Sequence, residues 1–332
     1  MVDVKTGKLE WKFMGTLLSL LPMGDVDLIV GPAIGEDAAI IRLVDGFLVL
    51  HSDPITTGVK KAGYLAVHVA ANDIAVRGVK PRWFLPVVLI PPSYSRDGIE
   101  EIFSHMSIAL NEIDGVVVGG HTEVTPGLER PIISMTSIGY TTSKVISTRD
   151  AKEGDLVYVI GRIAGEGSGI IAWDFEDKLS EKGVDRSIIE KAKQFIYDIS
   201  VVNTALRIRD LVSTMHDATE GGILQALREI AVASGRIIKV DRDSIIDMLE
   251  YEVSVITSMM NVDPLRLLSS GCIIATVPPY NRREFEAIVE EVRKPYRNVG
   301  IVTERGGEVA LHTKHGELII REDIIDEIYR LW

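Results

Sequence analysis

The sequence predicts an α+β chain, α/β within each half, folded as two domains. Three observations carry this. β-rich runs alternate with segments of helical period along the whole chain. A polar, charged stretch at 147–155 divides it near the middle. Its 332 residues exceed what a single hydrophobic core usually organises. The expected domains are 1–147 and 148–332.

The elements follow in order. "FMGTLLSLLPM" (13–23) comes after Lys5, Lys8 and Lys12, but it lacks a small-residue cleavage pattern, and its Leu spacing suits a short amphipathic helix better than a signal peptide. "AAIIRL" and "GFLVLHSD" flank the turn Val44-Asp45-Gly46 and read as a β-hairpin. Residues 60–78 have helical spacing and stop at a glycine shortly before Pro81. A strand closed by prolines (81–92), an amphipathic helix (96–113), the strand "GVVVGG" and the strand "ERPIISMTSIGYT" complete the first half. The second half opens with the strand "LVYVIG" and a glycine-rich turn at 161–169. Helical segments follow near 186–211 and 222–233, and the β-rich runs "GCIIATVPP" and "ELIIRED" flank the helix "RREFEAIVEEV".

Composition narrows the function. A net charge of −12 argues against a nucleic-acid-binding body, which needs concentrated Lys and Arg. A single cysteine, Cys272, excludes an internal disulfide and a Cys-based zinc cluster, and it suits the cytoplasm. No apolar stretch reaches the roughly 18–20 residues that cross a bilayer, so no membrane partner is expected.

Chemistry-bearing residues recur in one pattern, an aspartate flanked by small residues at the end of an apolar run. Asp37 in "GEDAA", Asp53 in "HSDP", Asp73 in "ANDIA" and Asp217 in "HDATEGG" share it. Carboxylates are hard oxygen ligands that hold Mg²⁺ while substrate phosphates complete its coordination. Taken singly, each also suits a cap or turn. "GGHTEVTPG" offers a backbone that a ligand could approach at Gly119 and Gly120, with His121, Thr122 and Glu123 beside it. It is equally an ordinary glycine-rich loop. "GRIAGEGSG" misses the dinucleotide fingerprint.

In this order, "GEDAAII", "HSDPI", "ANDIAVRGVKPRW", "GGHTEVTPG", "AKEGDLVYVIG" and "HDATEGGI" resemble the PurM-like superfamily. That group includes AIR synthase, thiamine-monophosphate kinase, selenophosphate synthetase and the hydrogenase-maturation protein HypE. The likeness runs from about Gly31 to the C-terminus and is strongest to the HypE-like, AIR-synthase-related branch. It implies a two-domain PurM-like fold, a homodimer whose N-terminal sheets join in an intersubunit β-barrel, and ATP bound with Mg²⁺. On the matching positions it implies Asp37, Asp53 and Asp73 as metal ligands, with Glu36 either a solvated neighbour or one that supports Asp37 from behind. Gly35, Gly119, Gly120 and Thr122 would lie near the triphosphate, together with Lys8 from a glycine-rich loop remnant. His121 and Asp217 are the implied catalytic groups.

This sequence also departs from the family. HypE proteins end in a reactive cysteine, whereas this chain reads "EIYRLW" there, and Cys272 sits in an apolar run. His121 stands where the family usually has a carboxylate. His51, His68 and His216 could join the cleft or be structural. The expectation is an ATP- and Mg²⁺-dependent enzyme that activates a small-molecule or carbamoyl/amide oxygen by phosphoryl transfer. The rivals are a small-molecule kinase and a non-catalytic nucleotide-binding dimer. The second substrate is expected near Arg82, Trp83 and Pro126, and Asp37→Asn is expected to weaken Mg²⁺–ATP binding.

Overall fold

A computed structural model describes residues 10–22, 25–33 and 35–332. Two seven-stranded sheets organise them. The first comprises β1 (Leu28–Val30), β2 (Ala39–Leu43), β3 (Gly46–Ile55), β4 (Pro81–Ile90), β5 (Val116–Val117), β6 (His121–Val124) and β7 (Ile132–Thr141). Its order is β1-β2-β3-β7-β4-β5, with β6 also on β4. The second comprises β8 (Leu156–Ile160), β9 (Thr214–Asp217), β10 (Arg236–Asp241), β11 (Ile273–Val277), β12 (Tyr296–Arg305), β13 (Val309–Thr313) and β14 (Gly316–Ile320). Its order is β14-β13-β10-β12-β8-β11-β9. Pairing is antiparallel except for β4 with β5 and β6, and β10 with β13, so the α+β description applies.

Period-two alternation gives the first sheet two unlike faces. Val49, Ile133, Met135, Phe84 and Val88 point inward and are buried. The helix Ala62–Ala75 covers them, and every one of its residues is buried. Small side chains let this helix sit between the sheet, the helix Arg96–Glu112 and the second half of the chain. Asn72 ties it there: its Nδ2 donates to Ile199 O at 2.9 Å, and its Oδ1 accepts from Val201 N at 2.9 Å. The outward face carries Ile138, Trp83, Leu85 and Val87, all partly exposed or exposed.

Two sequence expectations change. The glycine-rich segment at 161–169 is not all turn, because the helix Gly165–Asp174 begins within it. The helical stretch 186–211 is broken into Arg186–Lys193, a 3-10 segment at Gln194–Asp198, and Val202–Ile208. The charged stretch at 147–155 is well anchored: Ser147 and Thr148 are buried, and a reciprocal Ser147–Asp150 capping box fixes the 3-10 turn Thr148–Asp150.

Candidate functional site

The aspartates chosen from sequence form two groups rather than one. Asp37 lies with His216 and Asp217, whereas Asp53 and Asp73 lie with His51. Within each group the ligand atoms are within 4.8 Å of one another.

The first group sits at the junction of the two halves. Asp37 precedes β2, and the turn before it needs glycine: Gly35 has φ +80°, and a Cβ there would stand 2.5 Å from Glu229 O. The turn therefore docks on the helix Gly222–Ser234 of the second half. Asp37 Oδ2 accepts from Arg77 Nη2 at 2.5 Å, and Asp37 Oδ1 lies 2.7 Å from His216 Nδ1. The latter is an ion-pair contact, not a well-aligned hydrogen bond. His216 Nε2 meets Glu229 Oε2 at 2.7 Å. Arg77, fully buried, also donates to Glu36 at 3.3 Å, Thr148 Oγ1 at 2.8 Å and Met215 O at 2.7 Å. Of the two places expected for Glu36 the structure shows the second, behind Asp37 and joined to it through Arg77. The Glu36 side chain is 2% exposed and accepts from Ser147 Oγ, Thr148 N and Arg149 Nε.

Electrostatics follow from this packing. Burial opposes charge on Glu36, but Arg77 and the donors from Ser147, Arg149 and Thr148 outweigh it and hold its carboxyl below the usual range. Burial likewise opposes a charged His216, yet Asp37 and Glu229 push its pKa up to about 10. Asp217, at the end of β9, is pushed up to about 7 by burial and by the charge of Asp37. Neither of its carboxylate oxygens has a hydrogen-bond partner.

The second group lies on the inner face of the first sheet. His51 and Asp53 alternate along β3 and face Asp73 on the helix Ala62–Ala75, with His51 Nε2 3.6 Å from Asp73 Oδ2. Asp53 also borders a small cleft between the halves, lined on one side by Thr56 and Thr57 and on the other by Glu166, Thr219, Glu220 and Ser270. Ile55, Leu65, Val69, Ile170 and Leu268 supply its apolar walls. Glu166 accepts from Ser270 N at 3.0 Å, and burial pushes its pKa up to about 7.

The remaining expected residues stand elsewhere. Register places His121 opposite Val87, Val87 opposite Ser134 and Ser134 opposite Pro54, so His121 is on the outward face and Asp53 on the inward one. Three strand spacings, roughly 14 Å, separate β6 from β3. Within one chain, Gly119, Gly120, His121 and Thr122 therefore do not converge with Asp53, and all four are exposed. His121 pairs with Glu123 at 3.1 Å. Gly120 is demanded by packing, since φ is +139° and a Cβ would sit 2.3 Å from Pro86 O. Lys8 lies outside the described residues. The cleft is not bordered by Arg82, Trp83 or Pro126. His68 is structural, 2.9 Å from Glu112, and Cys272 is a buried thiol pushed up to about 12. Sequence reasoning missed Arg77, Glu229 and Glu166. Arg77 alone had a signal: a cation directly following a helix apolar on all sides must find a buried partner.

A divalent cation fits the second group better than the first. Asp53 and Asp73 offer two carboxylates, with Asp53 on an open cleft, and such oxygens suit a hard ion shared with phosphate oxygens; His51 stands beside them. In the first group both oxygens of Asp37 already face cationic side chains.

Residues 35–141 match the N-terminal domain of the AIR synthase related proteins, and residues 152–312 match their C-terminal domain. A provisionally named hydrogenase expression/formation protein of Methanocaldococcus jannaschii is 28% identical over 302 residues, 89% of this chain and 85% of that protein. The carbamoyl dehydratase HypE of Rhizobium leguminosarum bv. viciae is 25% identical, covering 74% and 70%. The fold is that of hydrogenase maturation protein HypE in complex with ATP, with TM-score 0.69, 21% identity and coverage of 95% and 91%. It is also that of ThiL complexed with AMPPCP and TMP, with TM-score 0.71, 18% identity and coverage of 93% and 94%. The chain thus belongs to the AIR synthase related family, has its PurM-like two-domain fold, and is similar to the hydrogenase-formation members.

Proposed function

We propose that the chain is an ATP- and Mg²⁺-dependent enzyme that activates an oxygen of a small molecule, or of a carbamoyl or amide group, by phosphoryl transfer. The observation that carries this is the His51–Asp53–Asp73 group, whose Asp53 lines the interdomain cleft. Phosphoryl transfer asks a protein mainly to position the reactants and neutralise charge. Asp53 and Asp73 would hold Mg²⁺, which would supply charge neutralisation at the phosphates, and His51 would orient Asp73. The cleft would seat the second substrate. Its charged lining residues are Asp53, Glu166 and Glu220, which favours a neutral, hydrogen-bond-donating group over a free anion. Similarity to a HypE solved with ATP and to a ThiL solved with AMPPCP supports the nucleotide.

The outward face of the first sheet supports self-association, because it presents Val87 and Val116 at 37% and 56% exposure beside Trp83 and Leu85. Two chains meeting there would form the expected barrel-like dimer and cover His121. Among the described residues no helix is long and apolar enough to cross a membrane.

The test is calorimetry with Mg²⁺–ATP followed by product analysis. Binding followed by ADP, phosphate and a dehydrated or cyclised product supports the proposed reaction. A phosphorylated product would instead identify a kinase, and binding without turnover a nucleotide-dependent partner. No binding refutes all three.

A further inference from the structure

We propose that Arg77 is the resident cation of the Asp37–His216–Asp217 cluster, occupying the place where a divalent ion would otherwise sit. Two carboxylates and an imidazole within 4.8 Å of one another invite a metal. The partners already present leave it no free oxygen at Asp37. Arg77 Nη2 is 2.5 Å from Asp37 Oδ2, and His216 Nδ1 is 2.7 Å from Asp37 Oδ1, so each oxygen of Asp37 is covered by a cationic group. Arg77, Arg149 and His216 face Glu36, Asp37 and Glu229, and burial beside Asp37 opposes charge on the fourth carboxyl, Asp217. Mg²⁺ demands near-octahedral ligands at about 2.0–2.1 Å and usually retains several waters. Arg77 is fully buried and Asp37 only 7% exposed, so those waters have no room, and a doubly charged ion would stand against a guanidinium and an imidazolium.

The guanidinium also does what a spherical ion could not. Its planar donors reach Glu36 and Asp37 on one half of the molecule, Thr148 at the connection, and Met215 O on the other half. It fixes the angle between the halves, and with it the width of the cleft bordered by Asp53 and Glu166. Metal binding is thereby confined to the His51–Asp53–Asp73 group. This goes beyond the proposed reaction and holds whether or not the chain turns over ATP.

The experiment counts Mn²⁺ bound per full-length chain by electron paramagnetic resonance, without nucleotide. Asp37→Asn, which keeps an acceptor for Arg77, is expected to bind as many Mn²⁺ as wild type. Arg77→Met is expected to gain one Mn²⁺ per chain, and Arg77→Met/Asp37→Asn to lose that gain. A loss of one Mn²⁺ in Asp37→Asn would overturn the assignment, as would a folded Arg77→Met with an unchanged count. Should the Arg77 variants not fold, anomalous scattering from Mn²⁺-soaked wild-type crystals decides: a peak at coordination distance from Asp37 overturns the assignment, and its absence there upholds it. A wild type that binds no Mn²⁺ at all would refute the nucleotide–metal reading, while a gain in Arg77→Met would still uphold this one.

Discussion

Asp37 and Asp53 begin from the same local signature, an aspartate beside small or turn-forming residues at the end of a strand, and they end in opposite environments. Asp37 is walled in by Arg77 and His216 at the junction of the halves. Asp53 is half-exposed at the border of a cleft, close to His51 and Asp73. The difference lies in which cations the rest of the chain delivers. A buried carboxylate with guanidinium and imidazolium partners holds the structure together, whereas a carboxylate grouped with a second one beside solvent is available to a ligand.

The sharpest way to break this contrast is Arg77→Ala. It would leave Glu36 and Asp37 buried beside a missing cation, and a loss of about 3–5 kcal/mol in chemical denaturation is expected. A loss below about 1 kcal/mol would show that the junction does not depend on the pair. Asn72→Ala removes two buried hydrogen bonds that join the helix Ala62–Ala75 to the second half, at a cost of roughly 1–3 kcal/mol by the same measurement.

The pH dependence of the junction is set by His216. Its folded pKa is raised from 6.5 to about 10, so the stability it contributes is fully present below pH 6.5 and is lost as pH rises through about 10. Thermal melts of wild type and His216→Asn should therefore differ most near pH 6 and converge toward pH 10. A gap that widens with pH would refute the charged imidazole. The smallest effect belongs to His121→Ala: an exposed residue on the far face of the sheet should alter stability by less than about 0.5 kcal/mol and Mg²⁺–ATP affinity by less than about twofold. A tenfold loss of affinity would instead place His121 in a site completed by a second chain.

Much of the fold was legible because it is local. The hairpin of β2 and β3 follows from alternation around Asp45-Gly46, and the helix Ala62–Ala75 from its period and its terminal glycine. Strands β10, β12 and β13 were missed: charged and polar residues such as Lys239, Arg297 and Asn298 interrupt their apolar alternation. The candidate site was legible as residue types and opaque as geometry. Arg77 reaches Met215 O across 138 positions of sequence, and no local pattern encodes that contact. Glu36 stayed open between a solvated and a supporting neighbour because its partners Ser147, Thr148 and Arg149 lie 111–113 positions away. His121 looked catalytic because its motif is glycine-rich, but strand parity, visible only once register is known, turns it away from Asp53.

The most direct test sets Asp37→Asn beside Asp53→Asn, measuring Mg²⁺–ATP affinity by calorimetry and stability by denaturation on each. Asp37→Asn should lose a few kcal/mol of stability and keep wild-type affinity, because it weakens a buried ion pair. Asp53→Asn should keep its stability within about 1 kcal/mol and lose at least roughly tenfold in affinity, because it removes a ligand from the cleft. The reverse pattern, with affinity lost in Asp37→Asn and intact in Asp53→Asn, would contradict the division between junction and metal site.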